Sequence, residues 1–244
     1  MGGRRQVVVA GSTIRVIAVA EGTTGETLTR ELTAGGVASP VPAVVVVGGA
    51  GGVEAAYAER CARLFAEVLI PVLTATGASV IDGGTDAGIT HLLGVARRQA
   101  GASGQHVGVV ARGTVAWPDE ANAGGTAPLE PNHTHVVIVP GADWGDEVPW
   151  LSSVAAAIAG HAPSFTLLAN GGEIAYRDVQ ASLAAGRRIF VLAGTGRTAD
   201  EIADAAATDT AAPQVLRIAR SPLVTVLPDE PTNTLIDALG SALR

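Results

Sequence analysis

The sequence predicts an α/β fold: a doubly wound, mainly parallel sheet preceded by a β-hairpin. Three observations carry this expectation. Short unbroken runs of β-branched residues recur along the chain, several end in glycine-rich turns, and many of those turns lead into stretches of helical apolar spacing. Strands buried on both faces of a parallel sheet read as continuous apolar runs, and strand–helix alternation builds right-handed crossovers.

Taken in order, residues 6–20 read as two alternating apolar segments around Ala10-Gly11-Ser12-Thr13, a β-hairpin. A Thr- and Gly-rich stretch follows, with a short helix over 27–34 and then Pro40 and Pro42. Residues 43–47 form a strand and Gly48-Gly49-Ala50-Gly51-Gly52 its turn. A long helix over 53–76 comes next, with Tyr57, Cys61, Leu64, Phe65 and Val68 at helical spacing. Pro71 is expected to kink or split that helix. The theme repeats with a strand over 78–81, the turn Asp82-Gly83-Gly84-Thr85-Asp86-Ala87-Gly88 and a helix over 89–100. Further strands are expected over 106–110, 135–139, 165–169, 189–192 and 223–227, and helices over 150–160, 174–185, 198–207 and 232–243. Residues 112–133 have turn composition and no period, which predicts a mobile loop. The expectation is one Rossmann-like domain over 1–244: hairpin and connector over 1–40, core over 41–207, and a C-terminal strand and helix over 208–244.

Composition narrows the function classes. With 48% apolar and only 16% charged residues, the 244-residue chain can bury a core, and charge-driven disorder is excluded. The longest apolar runs fall far short of the roughly 20 residues that span a bilayer, and the N-terminus makes a poor signal peptide, so no membrane partner is expected. Cys61 is the single cysteine, which excludes an internal disulfide and a Cys-rich zinc site and fits a reducing cytoplasm. A net charge of −7 argues against a nucleic-acid partner. All 16 basic residues are arginine, and without lysine neither Schiff-base chemistry nor a P-loop is available.

Ligands of open α/β sheets bind at the carboxyl ends of the strands, where glycine lets backbone N–H groups approach a phosphate. Four glycine turns fall there. Gly48, Gly49, Ala50 and Gly51 form the first; Gly83, Gly84 and Thr85 belong to the second; Asn170, Gly171 and Gly172 are the third; Gly194, Thr195, Gly196 and Arg197 are the fourth. None matches G-x-G-x-x-G in register, but four on one edge point to a nucleotide or phosphorylated-sugar pocket. Arg197, at a glycine turn opening a helix, is read as a phosphate contact. Asp200 is read as a helix-start carboxylate, and Asp178, mid-helix, as solvent-facing. His133 and His135 share one face if extended, but no third ligand stands at metal-site spacing, so they are read as structural and no metal is expected. Cys61 is read as core, and Asp82 and Asp86 as satisfying backbone N–H groups in their turn.

Three segments then resemble a known family. Leu129-Glu130-Pro131-Asn132-His133-Thr134-His135, Trp144-Gly145-Asp146-Glu147-Val148-Pro149 and Gly194-Thr195-Gly196-Arg197-Thr198-Ala199-Asp200 are similar, in order, to the cytosolic N-terminal region of melastatin-type TRP channels. That region belongs to the SLOG superfamily, whose prokaryotic branch is LSDAT and which also holds the Lonely Guy phosphoribohydrolases. The resemblance covers about residues 43–207. It implies a Rossmannoid domain that senses an adenine nucleotide or an NAD-derived ligand such as ADP-ribose or AMP, with no cofactor required. It also implies that Trp144 packs on the base, while Leu151 stands where the channels carry a phosphate-contacting arginine. The hydrolase motif Pro-Gly-Gly-x-Gly-Thr-x-x-Glu falls on residues 170–178, with Ile174 for Gly, Ala175 for Thr and Asp178 for Glu. Those changes remove a hydroxyl and shorten the carboxylate, so binding is favoured over catalysis. If the chain is an enzyme, Glu173 and Asp178 are the candidate bases of a nucleotide N-glycosidic hydrolase. Expected partners are a small-molecule nucleotide and other copies of the chain, as a homo-oligomeric dimer or higher.

Overall fold

The computed structural model describes residues 4–118, 124–227 and 232–244. The chain opens with β1 (Arg4–Val9) and β2 (Ser12–Ala18), paired antiparallel with Val9 opposite Ser12. Ala10 and Gly11 both take positive φ, 47° and 85°, the two-residue turn that matches strand twist. Helix α1 (Gly25–Ala34) leads to β3 (Ala43–Gly48). The long helix expected over 53–76 is interrupted: α2 (Ala55–Leu64) passes through one π-helical turn, Phe65–Leu69, into α3 (Ile70–Thr76). Pro71 is the second residue after that turn, where the wider spacing accommodates a residue that cannot donate a backbone hydrogen bond.

Next come β4 (Ser79–Asp82), α4 (Gly88–Gln99), β5 (His106–Ala111) and the short paired strands β6 (Val115–Ala116) and β7 (Ala127–Pro128). The expectation of a mobile loop over 112–133 is corrected where the chain is described. Trp117, Leu129, Glu130 and His133 are buried, because this segment closes a small apolar cluster over β2, β5 and β8 and supplies polar partners to β4. Residues 119–123 of that expected loop lie outside the described residues. The chain continues as β8 (His135–Val139), α5 (Val148–Ala159), β9 (Ser164–Ala169), α6 (Glu173–Ala184), β10 (Arg188–Leu192), α7 (Arg197–Thr208), α8 (Pro213–Ala219), β11 (Val224–Leu227) and α9 (Thr232–Ser241). Among the described residues no helix is long and apolar enough to cross a membrane.

The main sheet has nine strands in the order β1-β2-β8-β5-β4-β3-β9-β10-β11, parallel throughout except for β1. The N-terminal hairpin therefore extends the core sheet through β2 and β8. Period-two alternation divides β3 between two layers. Ala43, Val45 and Val47 face a core with α1, α5, α6, α7 and α8, whereas Val44 and Val46 face one with α2, α3, α4 and α9. From β3 the chain steps outward through β4, β5 and β8, then returns to β9 on the other side of β3. The reversal between β3 and β9 is a topological switch point, and the connections diverging there leave a crevice beyond the strands' carboxyl ends.

Candidate functional site

A cavity of about 360 Å³ occupies that crevice. Gly48, Gly49, Ala50 and Gly51 approach from β3, Gly83 and Thr85 from β4, Trp144 and Glu147 from the segment before α5, and Arg197 from the start of α7. Helix α6 presents its amino end, Gly172 to Ala175, and Asp178 one turn further in; Leu151 of α5 and Thr90 of α4 complete the wall. The first turn depends on glycine. A Cβ on Gly48 would run into the Ala169 carbonyl and Ile89, and one on Gly88 into the Gly49 carbonyl. The turn thus lies flat on the start of α4, with Ile89 donating its N–H to the Gly49 carbonyl at 3.0 Å.

One end of the cavity gathers hydrogen-bond donors. Among the described residues no acceptor takes the N–H of Ala50, Gly51 or Gly52. Arg197 donates from Nη1 to the Gly51 carbonyl at 3.0 Å, and its guanidinium lies close over Gly49 and Gly172. Loop amides, a guanidinium and the amino end of α6 converge there, a combination suited to phosphate.

The fourth turn is built differently. Asp200 of α7 accepts the N–H of Gly194 at 2.6 Å, of Thr195 at 3.2 Å and of Gly196 at 3.0 Å. Its own helix-start carboxylate occupies the position a phosphate would take. Thr195 is buried, donating to the Leu192 carbonyl and accepting from the Asn170 N–H, while Asn170 Nδ2 donates to the Thr195 carbonyl at 2.8 Å. Gly84 packs against Gly108 and Val110, and Gly171 against Thr198 and Ala175. Gly84, Asn170, Gly171, Gly194, Thr195 and Gly196 therefore support the cavity without lining it.

The opposite end is acidic and aromatic. Trp144 is 37% exposed and donates from Nε1 to the Gly125 carbonyl at 3.0 Å, leaving its ring at the cavity edge. Glu147, which the sequence reading did not single out, accepts the Gly145 N–H at 2.9 Å, and burial raises its pKa. Asp178 does not face open solvent as expected. It is half-buried on the wall, and burial followed by the charge of Glu147 pushes its carboxyl up to about 8, with Arg177 working the other way. Arg177 donates to the Gly145 carbonyl at 2.9 Å and so ties the Trp144 segment to α6. Glu173 lies exposed at the mouth.

A second polar cluster sits beneath the Gly83–Thr85 turn, on the α4 side of the sheet. Asp82 accepts His133 Nε2 at 2.7 Å, His106 Nε2 at 2.8 Å and the Gly84 N–H at 2.9 Å. Glu130 lies 3.0 Å from His133 Nδ1, and the two imidazoles stack at 3.7 Å. Gly94 and Gly108 make room, since a Cβ on the first would strike the Glu130 carboxylate and on the second the His133 ring. Burial opposes charge on His133, but Asp82 and Glu130 raise it to about 10. His106 is pushed down to about 4, by burial first and then by the charge of His133. His135 turns to the Thr134 hydroxyl, while His133 pairs with His106 and Asp82, so each of the two histidines read as structural has a hydrogen-bond partner. Asp82, His106 and His133 have the composition of a metal site. Their 2.7 and 2.8 Å donor–acceptor spacings are hydrogen-bond distances, however, whereas two ligands of tetrahedral zinc stand about 3.3 Å apart. This cluster fixes the shape of the second turn, with the Glu130 N–H also donating to the Gly84 carbonyl at 3.0 Å. Cys61 is buried in the core as expected, its thiol pushed up to about 12 by burial.

The fold and this cavity define a Rossmann-like protein with a cavity at its switch point. The chain belongs to the SLOG superfamily: residues 41–236 match the LSDAT family described as SLOG in TRPM, prokaryote, a span that contains every residue lining the cavity. That membership gives it a nucleotide-related role. No curated protein matches the chain at a significant level.

Proposed function

We propose that this protein is a nucleotide-binding sensor module whose switch-point cavity takes an adenine nucleotide or an NAD-derived ligand such as AMP or ADP-ribose. The observation that carries the reading is the pairing, in one cavity, of the Ala50 and Gly51 N–H groups, which no acceptor takes among the described residues, and Arg197 with the exposed ring of Trp144. The phosphate lies on Ala50, Gly51, Gly52 and Arg197, and the base stacks on Trp144. Calorimetric titration with AMP, ADP-ribose and adenosine tests it. The phosphate-bearing ligands bind and adenosine binds more weakly; no heat from any of them at millimolar concentration overturns the proposal.

A second reading, hydrolysis of the N-glycosidic bond, is favoured by one observation: Asp178 lines the cavity with a carboxyl that burial pushes up to about 8, in the range a general acid requires. Against it, the neighbouring lining residues Ile174 and Ala175 offer no hydroxyl to hold a water or ribose. Release of free adenine from AMP at about 1 per second or faster, abolished in Asp178→Asn, would replace the sensor reading with this one.

A further inference from the structure

We infer that the end of the cavity bounded by Trp144, Glu147 and Asp178 selects a positively charged heteroaromatic ring, so that the preferred ligands are nucleotides with a cationic base. The inference rests on the nucleotide reading above and goes beyond it by naming the charge of the base.

The two carboxyl groups on this wall are short of positive partners. Glu147 accepts backbone N–H groups alone among the described residues, that of Gly145 at 2.9 Å and its own. Among the described residues, Asp178 makes no hydrogen bond or ion pair. The neighbouring cation, Arg177, directs its guanidinium to the Gly145 carbonyl, and Arg197 is engaged at the opposite end with the Gly51 carbonyl. Two carboxyls held in a half-buried pocket favour a bound cation over a neutral group. The ring of Trp144 at the same end adds the negative face that attracts a cation, and Leu151 and Ile174 supply apolar surface for the flat body of a heterocycle. A phosphate could not sit there without facing both carboxyls. The cavity is therefore polarised along its length, anion at the glycine turns and cation at the tryptophan. A nucleotide with a pyridinium base carries both charges in that order.

Charge selection also sets a pH dependence. Asp178 is pushed up to about 8 by burial and by Glu147, against the pull of Arg177; Glu173 on its own helix and Arg197 across the cavity are the other charged groups on the wall. Below that value the carboxyl is protonated and offers the ring no charge. A cationic base therefore binds with release of a proton and gains affinity as pH rises through 8, and a neutral base does not.

Nicotinamide mononucleotide and its reduced form share phosphate, ribose and carboxamide and differ in whether the ring is charged. Calorimetry of both on the full chain at pH 7.0 and 8.5 is the test. The oxidised form is expected to bind at least about tenfold tighter at pH 8.5, with a smaller margin at pH 7.0. The double variant Glu147→Gln, Asp178→Asn, checked for folding by circular dichroism, is expected to reduce that margin to below about threefold. Equal affinities of the two forms, or tighter binding of the reduced form, overturn the inference and leave the nucleotide reading standing. Binding of neither form at millimolar concentration, with AMP also silent, overturns both. If the double variant does not fold, the comparison of the two forms on the unaltered chain decides alone.

Discussion

Replacing Trp144 separates the stacking role proposed for its indole from the hydrogen bond that the indole makes. Its ring borders the cavity, and its Nε1 donates to the Gly125 carbonyl at 3.0 Å from a position 37% exposed. Loss of that exposed hydrogen bond costs about 0.5–1.5 kcal/mol. For a chain of this length that lowers the melting temperature by roughly 1–6 °C. Loss of a base-stacking surface costs about 1–3 kcal/mol of binding, or roughly five- to 150-fold in affinity. Trp144→Ala should therefore lower the affinity for AMP by that factor, and, because it also removes the buried part of the ring, lower the melting temperature by more than the hydrogen bond alone. Trp144→Phe removes the same N–H and keeps a ring, so its melting temperature should fall only by the small amount of the hydrogen bond while its AMP affinity stays within about threefold of the parent protein. Calorimetry and differential scanning on the three proteins provide both readings. If Trp144→Phe loses as much affinity as Trp144→Ala, the indole acts by anchoring the Gly125 segment, and the stacking role is refuted.

Three further outcomes follow from the same geometry. Arg197→Ala should weaken AMP by roughly ten- to 100-fold and adenosine hardly at all, the worth of a charge-assisted hydrogen bond to phosphate; equal losses in calorimetry would show that Arg197 acts through its contact with Gly51. Gly94→Ala, which on helix propensity alone should stabilise α4, should instead cost about 1–3 kcal/mol in urea unfolding, because the new Cβ meets the buried Glu130 carboxylate; a neutral or stabilising result would contradict the packing described. Stability should peak near pH 6.5. His133, raised to about 10, contributes fully below 6.5 and loses that contribution as pH climbs towards 10. His106 and His135, each lowered to about 4 with burial as the leading cause, contribute fully above 6.5 and lose it as pH falls towards 4. Each group adds a slope of up to about 1.4 kcal/mol per pH unit, so urea melts that still gain stability at pH 9 would count against the charged His133.

The elements were legible where one residue pattern decides them. The valine run of β3 could only be a strand buried on both faces, and the glycines after it could only form a turn, because Gly48 has no room for a side chain. The split of the long helix was readable at Pro71, though not its form as a π-helical turn. Helix α8 was missed because seven residues carry too few apolar positions to show a period. Within the site, the glycines of the first turn, Trp144 and Arg197 were visible from residue type and place. The fourth turn could not be judged in the same way. Whether its N–H groups are free depends on the rotamer of Asp200, and Asp200 fills them. The partnership of Asp82, His106 and His133 joins positions up to 51 residues apart, beyond the reach of local spacing. Glu147 offered a weaker signal, a carboxylate three residues after the base-stacking candidate and one before a helix, whose meaning emerged only with Asp178 across from it.

The central claim is that phosphate is held by the first glycine turn. An amide-resolved NMR titration of the ¹⁵N-labelled protein with AMP tests it most directly. The account predicts that the N–H signals of Ala50, Gly51 and Gly52 move furthest and saturate together, while those of Gly194, Thr195 and Gly196, already bound by Asp200, stay in place. Large shifts at Gly194 to Gly196 with none at Ala50 to Gly52 would contradict it.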